Sequence, residues 1–209
     1  MKLHDVSVVT GPKTPEWPGD TPYSCGWTAR IGDGSNVNLT AVTCSPHVGT
    51  HADAPLHVRK SGAAADALPL DAFIGRVLVI AVDPSPNDLG LDLLDRVPNG
   101  TVRLLLRTGV SIASGEFPAD WPALATETAV ALTRRGVRLV GVDAPSVDRR
   151  ESKNLAVHHA LFDGGGFVLE NLDLRGVADG RYELAAAPLK WAGADAAPVR
   201  AVLWGDGNG

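Results

Sequence analysis

Short runs of valine, leucine and isoleucine recur along the chain and restrict its fold more than any other feature. Several are nearly continuous, which is typical of strands buried on both faces rather than strands with one wet face. Such strands need helices or further strands above and below them. The runs predict strands at Asp5–Thr10, Val37–Cys44, Val77–Val82, Val102–Arg107, Val137–Val142, Tyr182–Pro188 and Val199–Trp204.

Two segments have the 3.6-residue spacing of amphipathic helices. The first is Pro122–Arg135, which stops before Gly136, and the second is about Ser152–Phe162, which stops before Gly164–Gly166. Glycine after the last periodic residue is an ordinary helix stop. Strands that alternate with helices indicate an α/β fold with mixed sheets, and no repeat or linker divides it. We therefore expect one domain over residues 1–209.

Composition excludes several classes of partner. The formal charge is −5, and the 19 Lys and Arg residues form no block, so nucleic acid and anionic membranes are not expected partners.

The first twenty residues lack the apolar stretch of a secretory signal, which predicts a cytoplasmic protein. Cys25 and Cys44 are too few for a disulfide framework, so we expect both to be reduced. We interpret Cys44 as a packing residue rather than a ligand.

The segment from Pro46 to His57 reads PHVGTHADAPLH and holds three of the six histidines. Imidazole nitrogens and carboxylate oxygens are ligands that Zn²⁺ takes. The i, i+4 spacing of His47 and His51 predicts that both lie on one face of a helical turn that begins at Pro46. Asp53 would complete three protein ligands and leave a position for water, an arrangement typical of hydrolytic zinc sites. Any one of these histidines alone would be better explained by loop hydrogen bonds.

His57 has three interpretations that its spacing does not separate. It could be a fourth metal ligand, a free acid or base, or a histidine that hydrogen-bonds beside the loop. Histidine titrates near neutral pH, which suits proton transfer.

The pattern His-x-Gly-Thr-His-x-Asp-x-Pro-x-His, at His47 to His57, resembles the signature of the metal-dependent cyclase family, which includes bacterial kynurenine formamidases. The resemblance extends to the loop from Trp17 to Pro22 and to the block from Val142 to Lys153. It implies a swivelling β/β/α fold, a homodimer and a metal-dependent amidohydrolase.

By that resemblance, His158 and Glu170 are the distal ligands of a site with two Zn²⁺ ions, or Mn²⁺ in some members. Asp53 would bridge the ions, with His47 and His51 on one side and His158 on the other. Without the resemblance, His158 would be interpreted as a core histidine and Glu170 as a solvated charge. The turn at Gly164–Gly166 would let a strand return Glu170 beside His158. His159 lies about 100° around the helix and should point elsewhere.

The implied reaction is hydrolysis of the formamide of N-formyl-L-kynurenine to L-kynurenine and formate, a step of tryptophan degradation. Hydroxide would attack the formyl carbon, and His57 would protonate the departing aniline nitrogen. Trp17 corresponds to a substrate-contacting tryptophan, and we assign Trp27, Trp121, Trp191 and Trp204 to packing. Two alternatives remain. The chain could open another amide such as that of isatin, because Leu161–Gly166 departs from the usual formamidase pattern, or it could bind metal without catalysis.

Overall fold

A computed structural model describes residues 2–207 of the chain, so residues 1, 208 and 209 of the expected domain lie outside the described part. A nine-stranded mixed sheet forms its centre, with strand order β1-β13-β11-β5-β7-β9-β10-β4-β12. The α/β expectation is confirmed. The strands of this sheet are β1 (Leu3–Asp5), β4 (His51–Asp53), β5 (Ile74–Ala81), β7 (Arg103–Arg107), β9 (Leu139–Val142), β10 (Phe167–Glu170), β11 (Gly180–Ala185), β12 (Ala196–Pro198) and β13 (Val202–Gly207).

The four middle strands, β5, β7, β9 and β10, are parallel, and the strands outside them pair antiparallel. Leu104, Leu105 and Leu106 of β7 are all fully buried. Because side chains alternate across a strand, Leu104 and Leu106 enter the core on one face and Leu105 enters the core on the other. This explains why the sequence run is continuous rather than alternating.

Helices α2 (Thr126–Arg134) and α3 (Ala156–Asp163) pack on one core, and a short helix, α1 (Leu70–Phe73), packs on the other. Both long helices begin later than the sequence predicts. Ahead of α2, Ala123–Leu124 form a short strand, β8, beside β6 (Asp88–Leu89). Ahead of α3, Leu155 has φ +45°, which is incompatible with a right-handed helix and moves the start to Ala156.

The sheet curls around the core opposite α2 and α3. The chain after β1 leaves the strand ladder and reaches the far end of β10, where Ser7 forms a bridge with Leu172 and Asp173 N donates to Val6 O. The expected strand Asp5–Thr10 was therefore wrong in extent, since β1 ends at Asp5. The residues beyond it connect the two ends of the sheet.

A separate two-stranded ribbon, β2 (Ser24–Ala29) and β3 (Leu39–Thr43), lies outside the nine-stranded sheet. The predicted strand Val37–Cys44 contains β3, but β3 is exposed along its whole length. The packing role expected for Trp27 and Trp191 was also wrong, because both side chains are exposed, whereas Trp121 is fully buried. Within residues 2–207, we find no helix with the length and apolarity needed to cross a membrane.

Candidate metal centre

Strand β4 presents the first two site residues. His51 and Asp53 are two residues apart on this buried strand, so their side chains project from the same face. Strand β10 pairs on one side of β4 and strand β12 on the other. Glu170 lies directly opposite His51 in the β10 register, and its Oε2 is 3.6 Å from His51 Nε2. A cross-strand pair thus adds the second carboxylate.

His47 reaches the carboxylate of Asp53, but not through the predicted helical turn. No helix joins it to His51: His47 lies in a turn and His51 begins β4. Gly49, with φ +76°, reverses the backbone between them, and a Cβ at this position would collide with Thr10. His47 Nδ1 nevertheless lies 3.1 Å from Asp53 Oδ1. The two histidines converge because of this glycine and not because of helical spacing.

Helix α3 contributes the third histidine from the opposite side. His158 is buried, and its Nε2 lies 3.0 Å from Asp53 Oδ2 and 3.3 Å from Glu170 Oε1. His159 is only partly buried and, as expected, its side chain does not lie among the site residues. All five residues that the sequence analysis proposed as ligands therefore meet at one point, namely His47, His51, Asp53, His158 and Glu170.

The donor atoms at this point fit a divalent cation. His51 Nε2 and Asp53 Oδ1 are buried and 3.3 Å apart, yet neither makes a hydrogen bond. Buried polar atoms without partners are rare, because desolvation without a hydrogen bond is costly. His47, His51 and Asp53 offer ligand atoms within 4.8 Å of one another. Nitrogen and carboxylate donors suit Zn²⁺ or Mn²⁺.

Asp148 holds His158 in place, and the sequence analysis did not identify it. Its Oδ2 lies 2.7 Å from His158 Nδ1 and also accepts from the His158 backbone N–H, while Oδ1 accepts from Val157 N. The carboxylate thus accepts hydrogen bonds from two backbone N–H groups in the first turn of α3. It also directs His158 Nε2 towards Asp53. The family-like block from Val142 to Lys153 contained this residue but did not single it out.

Asp195 is a second carboxylate that the sequence analysis missed. One oxygen, Oδ2, lies 3.0 Å from His47 Nε2 and 3.3 Å from His57 Nδ1. Asp195 has no neighbouring motif; it is brought to the site because β12 pairs with β4 and because Ala54 N donates to its backbone O. Only the sheet topology could have revealed it.

A cavity of about 560 Å³ opens above these residues, a volume within the range of small-molecule sites. Trp17 lies at its wall, 38% exposed, with its ring edge-to-face against Phe117 and Trp121 at 5.4 and 5.8 Å. A cavity of equal volume lies beside Arg76 and Tyr182, but its lining residues include no histidine. The first cavity is the candidate site, because it is lined by His51, whose buried Nε2 has no hydrogen-bond partner.

The pKa shifts at the site favour protonated histidines beside ionised carboxylates. Burial opposes protonation of His47, yet the Asp195 and Asp53 carboxylates outweigh burial and raise the pKa of His47 to about 10. Burial likewise opposes protonation of His158, but Asp148, Asp53 and Glu170 hold its pKa well above the usual value. The hydrogen bond with His47 lowers the pKa of Asp195 below its ordinary range. Without a metal, protons on these imidazoles balance the buried carboxylates.

Comparisons with known proteins agree with this geometry. The family model described as "Putative cyclase" matches residues 4–149. The fold is similar to that of a predicted metal-dependent hydrolase from Bacillus stearothermophilus, with a TM-score of 0.81 and 28% identity over 97% of each chain. Isatin hydrolase A from Ralstonia solanacearum shares the fold, with a TM-score of 0.77 and 23% identity over 97% of this chain and 91% of that one.

The chain belongs to the cyclase family of metal-dependent hydrolases, and it is an enzyme. It is 46% identical to a kynurenine formamidase of Salinibacter ruber, over 97% of both chains. The sequence-based resemblance to this family is confirmed, and so is the cyclase-like fold.

Zinc binding to the metal-free protein at pH 7.5 should release protons. This pH is below the raised pKa of His47, about 10, and below the raised pKa of His158, so both imidazoles start protonated and must become neutral to bind metal. Calorimetric titration with zinc in buffers of different ionisation enthalpy measures the release. Asp195→Asn, which weakens proton retention by His47, should release fewer protons. Zinc binding without proton release in the wild type would contradict this account.

Proposed function

We propose that this chain hydrolyses the formamide of N-formyl-L-kynurenine to L-kynurenine and formate, using two Zn²⁺ ions per subunit with Mn²⁺ as the alternative metal. The observation that carries the proposal is the convergence of three histidines and two carboxylates on unpartnered buried atoms beneath an aromatic-walled cavity. The 46% identity to a kynurenine formamidase supports the choice of substrate.

In this proposal, His47, His51, Asp53, His158 and Glu170 hold the metal, and Asp53 contributes one oxygen to each side. Its Oδ1 faces His47 and His51, while its Oδ2 faces His158, so both oxygens would be available to bound metal. Divalent cations bound there would supply an activated water and polarise the formyl carbonyl. Glu170 is fixed by the Val147 N–H, which donates to Oε1 at 2.8 Å.

His57 is the proposed catalytic acid. With Nδ1 donating to Asp195 Oδ2 at 3.3 Å, Nε2 can accept the proton that the attacking water loses and then give that proton to the departing aniline nitrogen. His57 lines the cavity, and one of its nitrogens lies within 4.8 Å of ligand atoms of Asp53 and His158. That distance supports a position of His57 close to the bond that would be hydrolysed. Because five other residues already supply the ligands of the proposed metal site, we favour the acid role of His57 over the fourth-ligand role.

The cavity also offers contacts for the rest of this substrate. Trp17 provides an aromatic face for the aryl ring, fixed by its edge-to-face neighbours. Lys153 and Asp20 lie on the cavity lining and can pair with the carboxylate and ammonium of an amino-acid side arm. Isatin is neutral and would use neither charge. This pairing favours the formylated amino acid over the cyclic amide.

A metal-binding module without catalysis is the alternative from another class. Such a site would enclose its ligands and exclude substrate. Here the site opens into a cavity of about 560 Å³ lined by His47, His51 and His57, which favours an enzyme.

We further propose a cytoplasmic homodimer built from single-domain subunits of residues 1–209. Both cysteines are free, and Cys25 is exposed, which suits a reducing compartment. The exposed ribbon of β2 and β3 supports self-association.

Purified, zinc-loaded protein should hydrolyse N-formyl-L-kynurenine with kcat/KM above about 10⁴ M⁻¹s⁻¹, the usual range for a natural substrate. Absorbance of released kynurenine measures the rate, and isatin is the comparison substrate. Faster turnover of isatin would replace the formamidase assignment with lactam hydrolysis. No turnover of either by metal-replete protein would favour the binding module.

His57→Ala should lower kcat by about 100-fold or more, the usual contribution of a positioned proton donor, while zinc content and thermal unfolding stay unchanged. His159→Ala is the matched control. His159 lies on α3 but is not among the cavity-lining residues. Its turnover should equal that of the wild type. Unchanged kcat in His57→Ala would remove His57 from the mechanism.

Lys153→Met should raise KM for N-formyl-L-kynurenine about tenfold with little change in kcat, because it removes one charged contact to a part of the substrate remote from the scissile bond. Formanilide, an aryl formamide without the amino-acid group, is the control substrate. Its kinetics should be equal in variant and wild type. Equal effects on both substrates would show that Lys153 does not bind the carboxylate of N-formyl-L-kynurenine.

A further inference from the structure

A second group of metal-donor side chains lies beside the candidate metal centre. His47, His57 and Asp195 offer ligand atoms within 4.8 Å of one another. His57 and Asp195 are not among the five proposed ligands, so both stay available when the catalytic metal is bound. Their side chains are 27% and 43% exposed, so ions in solvent can reach them. This side of the centre therefore offers donors that the proposed catalytic metal does not use.

The separation of these two donor atoms also suits a shared metal ion. His57 Nδ1 lies 3.3 Å from Asp195 Oδ2, which is longer than the usual range of N–H···O hydrogen bonds, about 2.7–3.2 Å. By comparison, His158 Nδ1 lies only 2.7 Å from Asp148 Oδ2. Two ligands that are each about 2.1 Å from a tetrahedral zinc ion are separated by roughly 3.4 Å. The spacing of His57 and Asp195 therefore fits two ligands of one ion.

His47 leaves this position with two protein ligands rather than three. Its Nδ1 faces Asp53 Oδ1 at 3.1 Å, and its Nε2 faces Asp195 Oδ2 at 3.0 Å. When Nδ1 binds the catalytic metal, Nε2 carries the ring proton and donates it in a hydrogen bond to Asp195. An ion between His57 and Asp195 would complete its coordination with water. Because it has two protein ligands and lies close to another cation, its binding should be weaker than that of the catalytic metal.

Metal at His57 Nδ1 would change the tautomer that the proposed reaction needs. In that reaction, His57 Nε2 accepts the proton that the attacking water loses. A neutral imidazole has one N–H and one nitrogen lone pair, so an ion bound through Nδ1 moves the ring proton to Nε2. Nε2 then has no lone pair with which to accept a proton. Zinc at this position would therefore stop proton transfer without displacing the catalytic metal.

We propose that His57 and Asp195 form an inhibitory site for a further zinc ion, which lowers turnover when zinc exceeds the amount that the catalytic centre binds. An imidazole nitrogen beside a carboxylate oxygen favours a borderline cation such as Zn²⁺ over Mg²⁺, which prefers oxygen ligands. The inference rests on the proposed role of His57 in proton transfer. Binding of the ion does not depend on the substrate and is measured without turnover.

Zinc-loaded protein, freed of unbound metal, should bind one further and weaker zinc ion in a calorimetric titration. Asp195→Asn and His57→Ala should each lose this weaker binding, because each removes one of the two protein ligands. Asp163→Asn is the control for the carboxylate, because Asp163 is exposed and pairs with Arg59, and His159→Ala is the control for the imidazole. Both controls should bind like the wild type. No further zinc in the wild type, or undiminished binding by Asp195→Asn and His57→Ala, would overturn the proposal.

Turnover of N-formyl-L-kynurenine is the second measurement. Filling the weaker site of the wild type should lower kcat by about 100-fold or more, the usual contribution of a positioned proton-transfer group. Mg²⁺ at the same concentration should leave kcat unchanged, and the rate of Asp195→Asn should not fall further when zinc is added. Weak zinc binding without a loss of kcat, or equal inhibition by Mg²⁺, would contradict the inhibitory role. A protein that hydrolyses nothing would refute the proposed function, and the calorimetric titration alone would then decide whether the zinc site exists.

Discussion

The buried carboxylate of Asp53 is the constraint on which the site depends. It is fully buried on β4, and a charge in that position persists only when cations or strong donors surround it. Burial raises its pKa, but the neighbouring histidines, His51 first, hold the pKa well below the ordinary value. Both oxygens therefore stay charged and available. The surrounding architecture serves this requirement, since a turn brings His47 and helix α3 brings His158 to the carboxylate of Asp53, and His51 lies on the same strand.

Two further carboxylates determine how the imidazoles are presented. Asp148 engages His158 Nδ1, and Asp195 engages His47 Nε2, so each ring turns its other nitrogen towards Asp53. A carboxylate behind a ligating histidine fixes the tautomer and strengthens the ligand. Asp195 serves His57 with the same oxygen. The imidazoles of His47 and His57 thus share one support, and their positions depend on each other.

The sequence was sufficient to predict which residues converge at the candidate site but not the geometry that brings them together. Residue types from His47 to His57 indicated a metal, and the resemblance added His158 and Glu170, all of which meet in the structure. The predicted helical turn failed because i, i+4 spacing is satisfied equally well by a glycine turn followed by a strand. Asp195 was beyond reach, since its partner lies 148 residues away and only strand pairing joins them. Strand β4 was missed for a related reason: its three residues are too few for a periodic signal.

The exposed ribbon of β2 and β3 shows that an apolar run does not by itself predict burial within one chain. An apolar segment predicts burial, but it does not say whether the covering surface belongs to the same chain. The strand predicted at Val37–Cys44 and the packing role expected for Trp27 both assumed a core within one subunit, and the side chains are instead exposed. The same residues would be buried if a second copy of the chain covered the ribbon. On that view the error lies in the boundary assumed for the core, because the hydrophobic driving force that the sequence encodes acts between subunits as well as within one.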